Sequence, residues 1–310
     1  MSDSGRRSEV HLSSPVYPEK VKELEDPPEV LYVRGDPAVL SSPCLSVIGA
    51  RKATPYGIAL AEMAATVAAE SGITVVSGGA LGCDQAAGRA AVAAGGRHVV
   101  VLGGGADVVY PASARGLIDD ALAGGGAVVS LEPWGMRPMR YTFPKRNRVI
   151  AALSDALLVT EAGMPSGTFS TAEAAMELGR EVLAAPGSIL SPTSKGANYL
   201  ITVGACCIVD EESIEMAISR IYGRLRYSRP EAPGLTGLDG REQEVLAALV
   251  ANPMTAEELA AAFCMGAVEC MQLVSGLELE GLVERLADGR ISPTKKALHA
   301  LTPLGQNTGV

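Results

Sequence analysis

ITVVSGGALGCDQAAGRAAVAAGGRHVVVLGGG, residues 73–105, decides the fold. Two continuous apolar runs, ITVV and HVVVL, each end in glycine or a small polar residue, and DQAAGRAAVAA between them has helical periodicity. A strand that is apolar at every position is buried on both faces, the condition of a parallel strand with helices above and below it. The same unit recurs on either side. CLSVIGA, GAVVSLE, ALLVTEAG, EVLAAPG and ACCIVD read as strands, alternating with helical YGIALAEMAATVAAESG, RGLIDDALAGGG, RNRVIAALS and STAEAAMELGR. The alternation predicts an α/β domain: a mostly parallel sheet with helices on both faces. Ligands of such sheets bind outside the carboxyl ends of the strands, where the glycine turns fall.

The chain has 310 residues, 47% of them hydrophobic, with 26 Lys+Arg against 35 Asp+Glu and a net charge of −9. That length supports two domains. Gly, Pro or a charge interrupts every apolar stretch before the roughly 18 residues a membrane span needs, so no membrane association is expected. The opening MSDSGRRSEVHLSSPVYPEK lacks the apolar core of a signal peptide, and a cytoplasmic location is the expectation. Six cysteines form no C-x-x-C pair and three histidines are scattered, so neither a metal site nor a catalytic nucleophile–base pair is expected. Cys83, inside a glycine turn, reads as a small hydrophobe.

The pattern divides the chain into an N-terminal extension over 1–40, an α/β domain over 41–220, a linker over 221–239, a second domain over 240–296 and a tail over 297–310. Tyr17, Leu24, Leu31 and Tyr32 are expected to pack the extension onto the α/β domain. The linker loses periodicity and gains Pro230 and Pro233. Beyond it, three helical segments and a hairpin around Asp288-Gly289 follow the order of a winged helix. Thr255 and Glu258 have capping-box spacing at the start of the second helix. Residues 242–284 contain eight glutamates and no Lys or Arg. Neutralising phosphates drives DNA affinity, so this module is expected to serve partner binding or regulation and not to enter a DNA groove.

Four features could carry chemistry. Gly49-Ala50-Arg51 follows the first of these strands; small residues let a phosphate approach the backbone, and Arg51 could hold it bidentately. Ser77-Gly78-Gly79, leading to Asp84, could form a nest of amides for an anion, or a tight turn whose Asp84 caps the next helix. Gly103-Gly104-Gly105 offers the same possibility. Ser166-Gly167-Thr168 opens a helix, where free amides cradle phosphate, or where the hydroxyls simply cap. None contains the P-loop pattern. Against these stands a basic run, RPMRYTFPKRNR at 137–148, with Arg137, Arg140, Lys145, Arg146 and Arg148 and no acidic residue. Single-stranded nucleic acid is held by a positive groove with aromatic faces, and Tyr141 and Phe143 interleave with these cations. The competing reading is a solvated basic loop, with Phe143 plugging the core.

SVIGARKATPYG, TVVSGGALGCDQAA, VVVLGGGADVVYP, YTFPKRNRVIAALSDALLVTEA, SGTFSTAEAAMELGREVLAAPG and GANYLITVGA together resemble the DNA-processing protein A family (DprA, also called Smf), over roughly residues 15–210. The C-terminal module resembles the winged helix of many members. The resemblance implies an extended Rossmann-like domain that binds single-stranded DNA without a sequence code, protects incoming DNA and helps load RecA onto it in natural transformation. It further implies a homodimer through this domain, no cofactor and no catalysis. By motif match, Gly49 and Arg51, the turns Ser77-Gly78-Gly79 and Ser166-Gly167-Thr168, and Lys145, Arg146 and Asn147 would contact phosphate or DNA. Arg140 sits where the family has a DNA-binding basic residue, and Phe143 would meet a base. One departure is Ala87-Gly88, where the family commonly has Ala-His. Two other readings share the scaffold: a nucleotide phosphoribohydrolase-like enzyme and a nucleotide-sensing protein. The enzyme's P-G-G-x-G-T-x-x-E pattern is broken here, since Glu173 falls five residues after Thr168 and not three.

Overall fold

Nine strands make one sheet in the computed structural model, which describes residues 6–224, 226, 238–294 and 297–298. In chain order they are β1 (Arg7–His11), β2 (Val30–Gly35), β3 (Cys44–Ile48), β4 (Thr74–Ser77), β5 (His98–Leu102), β6 (Ala127–Ser130), β7 (Ala156–Val159), β8 (Glu181–Ala184) and β9 (Cys206–Cys207). The helices of this part are α1 (Glu19–Lys22), α2 (Pro55–Glu70), α3 (Cys83–Ala93), α4 (Arg115–Ala123), α5 (Thr142–Leu153), α6 (Gly167–Glu177), α7 (Lys195–Thr202) and α8 (Glu211–Tyr222). The sheet order is β1-β2-β6-β5-β4-β3-β7-β8-β9, parallel from β6 to β9. All seven runs read as strands from their apolar continuity are strands of this sheet.

Alternation along β5 shows why its sequence is apolar throughout. Val99 and Val101 pack in one core with Val149 to Leu153 of α5, while Val100 and Leu102 pack in another with Ile118 and Leu122 of α4. Successive side chains of a strand point to opposite faces, so helices on both sides demand apolar residues at every position.

The N-terminal region joins the sheet itself. Tyr17, Leu24 and Leu31 are buried as expected, but two strands also form there: β2 pairs antiparallel with β6, and β1 with β2. VLYVRG is buried only at alternate positions, so it lacks the continuous apolar signature of the inner strands. α5 begins at Thr142, earlier than RNRVIAALS suggests. The Thr142 hydroxyl donates to Met139 O (2.8 Å) and accepts from Met139 N (3.2 Å), closing the turn ahead of the helix. Pro144 fits within that first turn, where helix amides lack intrahelical acceptors.

The described residues form two compact units, the smaller comprising 54–59 and the residues after 229. In it, α9 (Gly240–Ala251), α10 (Ala256–Ala262) and α11 (Ala267–Leu279) precede a hairpin of β10 (Val283–Arg285) and β11 (Ile291–Pro293), the order of a winged helix. Thr255 and Glu258 form the capping box their spacing predicts. The larger unit extends past α8 at least to Arg226, whose guanidinium is held by Glu70, Glu211 and Glu215. Residues 225 and 227–237 of the expected linker, and most of the expected tail, lie outside the described residues. Among the described residues no single helix is long and apolar enough to cross a membrane.

Candidate nucleic-acid interface

Strand order reverses at β3, with β4 on one side and β7 on the other, so the loops leaving these three strands converge. Between them lies a cleft of about 430 Å³. It brings together seven of the residues singled out from sequence: Gly49, Arg51, Arg146, Asn147, Ser166, Gly167 and Thr168. Ser77, Gly78, Gly79, Arg140, Phe143 and Lys145 do not line it, though Ala80 and Asp84 of the β4 turn do.

Gly49 is required by packing. A Cβ there would lie 2.4 Å from Thr160 Oγ1 and 2.6 Å from Cys83 Sγ. Cys83 is fully buried, and burial pushes its thiol up to about 12, which suits the small-hydrophobe role. Arg51 is exposed at the cleft rim.

The β4 turn is a nest already filled from within. Gly78 N (3.0 Å) and Ala80 N (3.4 Å) donate to Asp84 Oδ2, and Gly49 N also donates to this carboxylate. Burial pushes the Asp84 carboxyl up, opposed by Arg146 and by these amides. Asp84 does not cap α3, whose N-cap Gly82 has no side-chain cap; its carboxylate fills the preceding turn instead, and the amides of Gly78 and Ala80 are committed to it. Ser77 is buried, with its hydroxyl donating to Asp84 O (3.3 Å).

His98 stands behind Ser77, with Nε2 3.4 Å from its hydroxyl and Nδ1–H donating to Val75 O (2.9 Å). A Cβ on Gly88 would lie 2.5 Å from His98 Nε2, so the glycine at that position makes room for an imidazole supplied by β5. Burial pushes His98 down to about 4, against the Val75 carbonyl. The folded protein keeps it neutral, whereas the unfolded chain takes up a proton below about pH 6.5. His98 therefore withdraws stability as pH falls from about 6.5 to 4, by about 3 kcal/mol over the window. Proton NMR should find the His98 ring titrating near 4; a midpoint near 6.5 would contradict this environment.

Gly103-Gly104-Gly105 is a bed for a neighbouring loop, not an anion nest. Added Cβ atoms would meet the Phe143 ring at 3.0 Å from Gly103, Met136 O at 2.8 Å from Gly104, and Pro133 O at 2.5 Å from Gly105. Gly105 N donates to Met136 O (2.8 Å).

The basic run splits by helical angle, since neighbours on α5 point about 100° apart. Arg146 is buried and donates through Nη1 to Gly78 O (2.7 Å) and Val101 O (2.6 Å), bracing two strand ends from inside. Burial lowers it to about 10, and Asp84 opposes the shift. Lys145 and Arg148 face another depression, lined also by Asp26, Glu29 and Glu132. Asn147 Nδ2 donates to Gly167 O (3.3 Å), tying α5 to the start of α6. Arg140 is exposed on the loop ahead of α5.

At α6, Ser166 caps by accepting from Phe169 N (3.2 Å), and Thr168 Oγ1 donates to Gly49 O (3.0 Å). The amides of Gly167 and Thr168, first in the helix, have no intrahelical acceptor and lie in the cleft wall. Phe143 is half-buried on Gly103, with the guanidinium carbons of Arg51 and Arg146 at 5.6 and 5.8 Å from its ring centre. Tyr110 stands 6.2 Å from Phe143, 55% exposed. Sequence reading passed over Tyr110; its one signal was an aromatic beside proline just past a glycine turn.

A helix N-terminus, two guanidinium groups and an aromatic pair around a switch-point crevice define a Rossmann-like protein with an anion-receptive cleft. The family model for "DNA recombination-mediator protein A" matches residues 9–219, and that for the "DprA winged helix domain" matches 229–289. This chain belongs to the DNA recombination-mediator protein A (DprA/Smf) family. It is 37% identical over 205 residues to Protein Smf of Escherichia coli, covering 66% of this chain and 55% of that one. It is 37% identical over 198 residues to DNA processing protein DprA of Streptococcus pneumoniae, covering 64% and 70%. It superposes on DNA processing protein A of Helicobacter pylori, a structure described as revealing a single-stranded DNA binding mode, with a TM-score of 0.64 and 28% identity over 72% of this chain and all of that one. The chain thus spans little more than half the length of the E. coli relative.

Proposed function

We propose that this protein binds single-stranded DNA at the β3–β4–β7 cleft, without a sequence code and without chemical turnover. The observation that carries the reading is the placement of Arg51, backed by buried Arg146, beside the Phe143–Tyr110 pair and the open end of α6. Cations and amides hold phosphates, and an exposed aromatic offers a face to any base. The binding mode described for the H. pylori relative supports it. Of the direct contacts, Arg51, Gly167 and Thr168 would meet phosphate, Arg140 would extend the positive wall, and Phe143 would meet a base; Gly49, whose amide is engaged by Asp84, would shape the cleft wall without holding phosphate itself. Arg146 acts from beneath.

Family membership supports placing this binding in natural transformation, with incoming DNA protected and passed to RecA. It also supports a homodimer through the Rossmann-like domain, where Ile189, Leu190, Tyr199 and Val203 expose apolar side chains along one stretch of chain. In the winged helix, Arg241 pairs with Glu269 and Arg285 with Glu278, so its few cations near α11 are already engaged. Partner binding or regulation is its proposed role. A hydrolase reading is disfavoured because Asp84, the carboxylate lining the cleft, is taken up by three backbone amides.

Competition separates the readings. A labelled oligothymidylate should be displaced by unlabelled single-stranded DNA and not by nucleoside monophosphates at equal nucleotide concentration. Displacement by mononucleotides would favour a sensor, and release of free base an enzyme.

A further inference from the structure

The loop carrying Arg137 and Arg140, residues 131–141, is fastened through residues that do not line the cleft. Trp134, the one tryptophan of the chain, donates its indole N–H to Glu9 Oε1 (2.9 Å) on β1. Arg7, two residues along the same strand, lies over the indole with its guanidinium carbon 5.0 Å from the ring centre, and pairs with Asp107 at 3.3 Å. Asp107 accepts from Gly135 N (2.8 Å), the residue after the tryptophan. The edge of the Tyr32–Trp134 pair closes the other side, with ring centres 5.5 Å apart and planes at 83°. The loop is thus gripped by β1, β2 and the turn after β5, while Gly104 and Gly105 let its backbone lie flat.

We propose that Trp134 and its partners Glu9 and Arg7 form a latch that positions the basic loop for DNA, making them positioning residues for a site they do not touch. The proposal rests on the single-stranded DNA reading. An exposed arginine on an untethered loop loses affinity because binding must first order it; a fastened loop presents it already ordered. The chemistry suits a fastening: the cation–π contact, the charge-assisted indole hydrogen bond and the ion pair share atoms in one network.

The test uses the full chain and a labelled oligothymidylate, with amide hydrogen exchange as a second readout. Trp134→Ala should weaken binding about five- to tenfold, Glu9→Ala about twofold, and Trp134→Phe should retain most affinity by keeping the ring under Arg7. In an Arg137→Ala/Arg140→Ala background, Trp134→Ala should cost less than about twofold further, because the latch acts through those arginines. Exchange at 131–141 should accelerate in Trp134→Ala while β3 to β5 keep their protection. Unchanged affinity in Trp134→Ala and Glu9→Ala, with the unaltered protein binding DNA, overturns the latch alone, as does a fully additive loss in the arginine-free background. If the unaltered protein does not bind, the DNA reading falls, and unchanged exchange at 131–141 would dispose of the latch independently.

Discussion

Arg146→Met is expected to destabilise the protein by about 3 to 5 kcal/mol, the largest loss among the residues of the basic run. The guanidinium is buried, supplies donors to Gly78 O and Val101 O, and is the charge that opposes the burial of Asp84. Removing it leaves two carbonyls without those donors and a buried carboxyl without its counter-charge. Urea unfolding followed by Trp134 fluorescence reports on the larger unit, where the tryptophan lies. Adding Asp84→Asn should recover more than about 1 kcal/mol, since both residues belong to one network. Lys145→Ala, one residue away but exposed, should change stability by less than about 0.5 kcal/mol. A loss below about 1 kcal/mol for Arg146→Met would show that the brace is unimportant.

Reversing charge at Arg51 on the cleft rim, or at Arg140 on the loop ahead of α5, should act on binding and not on folding. Arg51→Glu and Arg140→Glu are each expected to weaken oligothymidylate binding roughly ten- to hundredfold near 0.1 M salt, and to flatten the log–log salt dependence by about 0.7 for each phosphate no longer neutralised. Both side chains are exposed, so thermal midpoints should hardly move. Lys145→Glu should matter less, because that lysine faces a depression shared with Asp26, Glu29 and Glu132. Full affinity in both arginine variants would remove the site assignment while leaving the fold untouched.

The inner sheet was legible because its burial is one-dimensional information: a strand covered on both faces is apolar at every position, as from Cys44 to Ile48. β2 escaped notice because half its side chains are less buried and its partner β6 lies almost a hundred residues on, a pairing no local pattern announces. The cleft was partly legible for the same kind of reason. Glycine turns mark close approach of backbone, but the letter does not say what approaches: for Gly103 to Gly105 it is a loop and a phenylalanine, for Gly78 the Arg146 guanidinium. Arg146 and Lys145 are neighbours in sequence and unlike in place, a difference fixed by the angle at which α5 meets the sheet. Tyr110 reaches Phe143 through the fold alone.

The two margins of the sheet bear on how copies of this protein behave side by side. At one, β9 offers only the two residues Cys206 and Cys207; at the other, β1 is a mostly exposed strand carrying Arg7, Glu9 and His11. Short or charged margins discourage another chain from adding a strand. If the proposed DNA binding brings copies side by side on one strand, strand addition at these margins would contribute little to holding them together.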